Sequence, residues 1–210
     1  MTRKQSAAIL KSLRAFYGPV VPALEYRNPY ELTIAVVLSA QTTDAQVNRV
    51  TPQLFSRFPD FASLAQAELG EVMRIIHSTG FFRTKAEHII ALARMVVDDY
   101  HGVLPHEKEL LVRLPGVGTK SANVIRAQGF GIPAMAVDTH VSRVAWRLGY
   151  TDVRDVVKAE RELCAMIPED EWSEAHLILI VHGRRTCTAR NPRCAECPVS
   201  RLCPYTDSAP

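Results

Sequence analysis

Three sets of residues in this 210-residue chain have types and spacings suited to chemistry. Lys120 follows Leu114-Pro-Gly-Val-Gly-Thr and falls in the first turn of a helical pattern, where the positive dipole end disfavours an ammonium. A neutral amine is a nucleophile and forms a Schiff base with a sugar aldehyde. The plainer role is an exposed lysine that binds phosphate. Asp138 immediately precedes Thr139-His-Val-Ser-Arg-Val-Ala-Trp-Arg-Leu, a second helical pattern. There it serves as an ordinary N-cap, yet a carboxylate so placed also suits steadying positive charge at a sugar carbon or deprotonating a lysine. The third set is Cys187, Cys194, Cys197 and Cys203, spaced Cys-x6-Cys-x2-Cys-x5-Cys. Thiols this close in a reducing setting imply a metal centre, and zinc and a cubane iron–sulfur cluster both accept four cysteines. Spacing alone does not choose between them. The plainer role here is a staple for a C-terminal segment too small to fold alone. Cys164, the fifth cysteine, sits in an apolar helical pattern and reads as core.

The lysine is set up by what surrounds it. Helical patterns over 107–114 and 121–128 flank Pro115-Gly-Val-Gly118. Glycines at 116 and 118 permit positive φ and close approach, so the main chain of Gly116, Val117, Gly118 and Thr119 is expected to meet a phosphate at the start of the second helix. This is a helix-hairpin-helix, which grips a nucleic-acid backbone without reading its sequence. A nucleotide-binding P-loop has Gly and Lys adjacent and follows a strand, whereas Thr119 intervenes here and the flank is helical. A tight turn between core helices is the other plain alternative. Thr79-Gly-Phe-Phe-Arg-Thr-Lys85 echoes the hairpin, which makes Lys85 a rival amine; core packing is the ordinary reading of Phe81 and Phe82.

Composition fits an ordinary soluble globular chain, 47% hydrophobic and 22% charged, long enough for one large domain or two small ones. A net charge of +3 permits nucleic-acid binding without requiring it, but Arg184, Arg185, Arg190, Arg193 and Arg201 concentrate charge near the C-terminus. Arg190 and Arg193 lie in the loop between the first two cluster cysteines, where a metal would fix them for phosphate contact at little entropic cost. Arg3 and Lys4 are followed by only four apolar residues before Lys11, too few for a signal peptide. The apolar run at 32–40 is too short to span a membrane. A cytoplasmic protein is therefore expected.

The remaining pattern is helical throughout. Helices are expected over 6–17, 30–40, within 45–58, and over 61–66, 69–77, 84–100, 152–166 and 171–181. Pro52 is expected to bend or divide its segment, and Gly183 to stop the last helix. No alternating segment supports a sheet, so the fold class is all-α.

Taken in order, Leu38-Ser-Ala-Gln-Thr-Thr-Asp44, Leu114-Pro-Gly-Val-Gly-Thr-Lys-Ser-Ala-Asn123, Val137-Asp-Thr-His-Val141 and the four-cysteine tail resemble the endonuclease III family of DNA glycosylases, over essentially the whole chain. The resemblance implies a bifunctional base-excision-repair glycosylase and AP lyase, acting as a monomer on oxidised pyrimidines in damaged double-stranded DNA. It implies two helical domains, residues 23–131 as a bundle containing the hairpin and residues 1–22 with 132–210 around the cluster, with DNA in the cleft between them. It also implies a [4Fe–4S] cluster on Cys187, Cys194, Cys197 and Cys203, Lys120 as Schiff-base nucleophile in preference to Lys85, and Asp138 as catalytic carboxylate. Gln41 matches the residue that fills the vacated space in the duplex, and Phe81 the apolar wedge opposite the lesion. Three positions depart from the pattern: Phe81 is aromatic where enterobacterial relatives are aliphatic, Thr119 replaces a basic residue, and Asn191 stands where lysine is common.

Two other readings make different demands. A monofunctional mismatch-type adenine glycosylase shares the cluster but lacks the lysine and normally carries a further C-terminal domain, so Lys120 and the end at Pro210 count against it. A non-catalytic DNA-binding module would use hairpin and cluster only to grip, and its binding would survive loss of Lys120.

Overall fold

Local capping sets where most helices begin. Thr2 and Gln5 form a reciprocal capping box, so the first helix starts at Arg3, earlier than the apolar spacing alone indicates. Asn28 accepts the Glu31 N–H and Pro29 takes the first helical position of the next. The computed structural model describes residues 1–206. Its helices are α1 (Arg3–Tyr17), α2 (Pro29–Leu38), α3 (Asp44–Arg57), α4 (Phe61–Ala65), α5 (Leu69–Ile76), α6 (Phe82–Asp99), α7 (Lys108–Leu111), α8 (Thr119–Val124), α9 (Thr139–Leu148), α10 (Val156–Met166) and α11 (Trp172–Arg185). A π-helical turn over Ile125–Gly129 continues α8. Among the described residues there is no strand, and the class is all-α as expected.

The chain divides into two compact units, one of Pro22–Gly131 and one of Met1–Val21 with the described part of Ile132–Pro210. In the first, α2 is buried from Tyr30 to Leu38 and forms the centre. The buried face of α6, including Ile89, Leu92, Ala93 and Val96, adds to the same core. In the second, Ile9, Leu10 and Leu13 of α1 share a core with Val141, Val144 and Leu148 of α9 and Ile178 and Leu179 of α11. The N-terminal helix is thus built into the C-terminal half.

Four expectations are corrected. Pro52 does not divide α3, which runs unbroken from Asp44 to Arg57; burial of Val47, Val50, Leu54 and Phe55 on one face holds it despite the lost N–H. The helix expected from residue 152 begins at Val156, because Asp155 supplies the cap by accepting the Lys158 N–H. The helix expected over 107–114 shortens to α7, and turns at Leu114 and Val117 complete the segment. Gly183 does not stop α11, which continues to Arg185. A Cβ at residue 183 would stand 3.1 Å from His140 Cβ and 3.1 Å from Val144 Cγ2. This glycine lets α9 and α11 approach closely; it is a packing residue inside a helix.

Candidate functional site

The hairpin is seated by one glycine. Gly116 has φ +81°, and a Cβ there would lie 2.9 Å from Val37 Cγ1 and 3.2 Å from His88 Nδ1. It therefore presses against α2 and α6 with no side chain between. Leu114 and Val117 are buried on either side of it, so Val117 offers an outer partner its main chain and not its side chain. Gly118 has an ordinary φ of −94° and open space around it; it stands exposed as the N-cap of α8. Thr119 is exposed beside it and Lys120, the next residue, is half-buried in the first turn. Gly116→Ala is expected to cost about 2–3 kcal/mol through positive-φ strain and overpacking, read as a lower urea midpoint at unchanged slope.

Two further positions in the same unit share an unusual backbone. Gln41 (φ +52°) and Phe81 (φ +46°) both adopt the left-handed conformation without being glycine. Phe81 is 68% exposed while Phe82 turns inward against His77, with ring centroids 4.4 Å apart, so only the second of the pair packs as an ordinary apolar residue. Lys85 is 4% exposed, and burial pushes its ammonium below the ordinary lysine value. Its Nζ donates to Thr42 Oγ1 (2.6 Å) and the Thr79 carbonyl (2.8 Å). An amine enclosed and bonded in this way is out of reach of a sugar carbon.

In the other unit, Asp138 caps α9: its Oδ1 accepts both the His140 and Val141 N–H groups at 2.8 Å. Farther along, α9 carries two arginines that sequence reasoning passed over. Arg147 is 3% exposed, donates to the carbonyls of Thr188 (2.7 Å) and Ala189 (3.0 Å) and to Cys187 Sγ (3.4 Å), and lies 4.5 Å over the Tyr205 ring. Arg143 donates to the carbonyls of Gly183 (2.7 Å) and Cys187 (3.1 Å). The helix that begins at Asp138 is thereby fastened to the cysteine loop. The available signal was two arginines four apart on the same side of one helix, flanking its apolar stripe. Arg190 and Arg193 are both exposed on that loop, whose base is closed by the Arg193 N–H bond to the Thr186 carbonyl.

Cys187, Cys194, Cys197 and Cys203 line one small cavity with Leu148, His182 and Pro192, and none is in a disulfide. Burial raises the thiols of Cys197 and Cys203, and burial also pushes His182 down to about 4. Thiolates are therefore disfavoured there unless a cation coordinates them. Among the described residues no three His, Cys, Asp or Glu side chains converge closely enough for a single ion. Four sulfurs spread around a shared cavity, with an Arg147 N–H directed at one of them, match the donor set of an iron–sulfur cluster. Held by these four cysteines, a cluster would cross-link this segment and hold the Arg190–Arg193 loop in place. The purified protein is expected to be brown and to contain iron, and Cys197→Ser to lose the visible absorption. A colourless zinc protein would sink the assignment.

Comparison with known proteins accords with this arrangement. Residues 34–169 match the HhH-GPD superfamily of base excision DNA repair proteins, and residues 187–203 match the iron-sulfur binding domain of endonuclease III. The chain is 45% identical to endonuclease III of Synechocystis sp., over 99% of its own length and 96% of the relative's. It is 47% identical to that of Bacillus subtilis over 86% and 83%. It aligns at a TM-score of 0.93 and 41% identity with endonuclease III in a trapped covalent intermediate with DNA, covering 99% of this chain and 98% of that one. A thermostable thymine-DNA glycosylase, 24% identical with a TM-score of 0.87, shares the fold. The chain belongs to the endonuclease III family. It is a base-excision-repair DNA glycosylase with AP lyase activity, and its C-terminal segment is an iron–sulfur cluster domain.

Proposed function

We propose that the protein removes oxidised pyrimidines from damaged duplex DNA through a Schiff base on Lys120 and then cuts the strand by β-elimination. The observation that carries this reading is the position of Lys120, in the first turn of α8 directly after a hairpin seated on α2 and α6. The exposed main chain at Gly118 and Thr119 binds a phosphate beside the lesion. The damaged nucleotide leaves the stack at a cost of roughly a few kcal/mol. Gln41 fills the vacated space and Phe81 wedges opposite it, both from exposed, left-handed positions. The Lys120 amine attacks C1′ and the glycosidic bond breaks, with Asp138 supporting expulsion of the base; opening of the C1′–O4′ bond then gives the imine. The imine makes the C2′ proton acidic, and its removal expels the 3′ phosphate. Cys187, Cys194, Cys197 and Cys203 hold the [4Fe–4S] cluster, and Arg190 and Arg193 contact the backbone. One chain supplies every residue in these roles, which favours action as a monomer.

The departures set the specificity. An aromatic wedge at Phe81 fills more space than an aliphatic one and shifts the opposite-base preference; Thr119 and Asn191 remove two phosphate-directed charges. The test is borohydride trapping on duplex DNA carrying thymine glycol. A covalent complex, base release and a cut strand are expected. Binding without trapping or cleavage would reduce the protein to a DNA-gripping module, and base release without trapping would make it monofunctional.

A further inference from the structure

We propose that Lys85 is a positioning residue: its buried side chain clasps the loop after Gln41 to the loop before Phe81, and so fixes together the two side chains that enter the duplex. The inference rests on the proposed roles of Gln41 and Phe81. A left-handed backbone at a glutamine and at an aromatic residue costs free energy, and it persists only where the surroundings over-determine it. Lys85 holds a near neighbour of each. Its Nζ donates to Thr42 Oγ1, one residue after Gln41, and to the Thr79 carbonyl, two residues before Phe81. The Thr42 hydroxyl donates to the same carbonyl. The Lys85 main-chain N–H donates to the Phe81 carbonyl at 3.0 Å. Thr79 is anchored in turn through its hydroxyl to the Ile76 carbonyl (2.8 Å), and Gln46 Nε2 donates to Ser78 Oγ (2.6 Å), tying the first turn of α3 to the segment before Phe81. One lysine thus touches both loops through its side chain and one of them through its backbone.

A buried lysine is costly, since its charged form loses hydration. A core that needed only volume at this point would be served by methionine. What methionine does not supply is a donor to two acceptors on separate loops, and that is what a fixed separation between Gln41 and Phe81 requires. Misplacement of a positioning element by about 1 Å is enough for a rate loss near 10²-fold.

The test compares the wild type, Lys85→Met and Thr42→Val, the last keeping the lysine but removing the hydroxyl it grips. Each is assayed on duplex DNA carrying thymine glycol and on single-stranded DNA carrying an abasic site, where no stacked base must be displaced. 2-Aminopurine next to the lesion reports unstacking, and thermal melting reports folding. Lys85→Met is expected to lower excision from the duplex by about 10²-fold and to suppress the 2-aminopurine signal. Its single-strand cleavage should stay near the wild-type rate. Thr42→Val should move the same readouts in the same direction, and it decides the matter alone if Lys85→Met does not fold. In a Gln41→Ala/Phe81→Ala background, adding Lys85→Met should cause little further loss, because residues acting as a unit are not additive. Equal losses on both substrates, full additivity, or lowered melting with unchanged duplex excision would overturn the clasp while leaving the catalytic reading intact. A wild type inert on both substrates would overturn that reading, and the clasp with it.

Discussion

Replacing Lys120 with glutamine is expected to abolish borohydride trapping and to reduce strand cleavage by on the order of 10⁴-fold or more, with melting temperature and duplex binding close to wild type. Glutamine suits a half-buried position in the first turn of a helix, so little folding free energy is at stake. It has no nucleophilic nitrogen, so the covalent path closes completely. The competing role, a lysine that only neutralises phosphate, predicts something else. Losing one phosphate contact weakens binding and lowers the salt dependence by about one charge, and the maximal rate is kept. Rate at saturating DNA, measured beside a salt titration, therefore separates the two. Trapping that survives in the variant would transfer the nucleophile to another amine. Lys85 is poorly placed to be that amine, being 4% exposed with its Nζ bonded to Thr42 and Thr79.

That contrast between two lysines shows what the sequence carried and what it did not. Thr79–Lys85 and Pro115–Lys120 read alike as strings, because spacing records which residues follow a glycine and not which way they face. In the fold one lysine is enclosed and the other stands at the end of an exposed hairpin. Helix existence was legible almost everywhere, since apolar periodicity and caps such as Asn28 and Asp155 act locally. Gly183 was misread for a related reason: a helix end and a close helix–helix crossing both select glycine, and only the second depends on partners far along the chain, His140 and Val144 of α9. Arg143 and Arg147 were missed because an arginine is by default a surface residue; their acceptors are loop carbonyls whose position depends on the cysteine segment. The chemistry was easier to see than its supports. Lys120, Asp138 and the cysteines announce themselves by type and order, whereas the groups that hold them do so by geometry.

Asp138 tests whether a residue with a sufficient structural role also has a chemical one. Asp138→Asn keeps an oxygen able to accept the His140 and Val141 N–H groups, and asparagine caps helices about as well as aspartate. Its cost in stability is the lost attraction between a negative charge and the helix N-terminus, about 0.3–1 kcal/mol. Asp138→Ala loses the capping bonds as well, at about 1 kcal/mol more. If capping were the whole role, the asparagine variant would excise bases almost as fast as wild type and only the alanine variant would suffer. The proposed role predicts a different order: both variants fall by roughly 10²–10⁴ in excision rate, and they differ from each other mainly in melting temperature. The capping bonds hold the carboxylate through Oδ1, and Arg143 and Arg147 bind the same helix to the cysteine loop. A charge at the start of α9 is thus carried on a helix braced along its length. Such bracing is unnecessary for a cap, which needs only its own first turn, but a catalytic carboxylate gains from every contact that limits its movement.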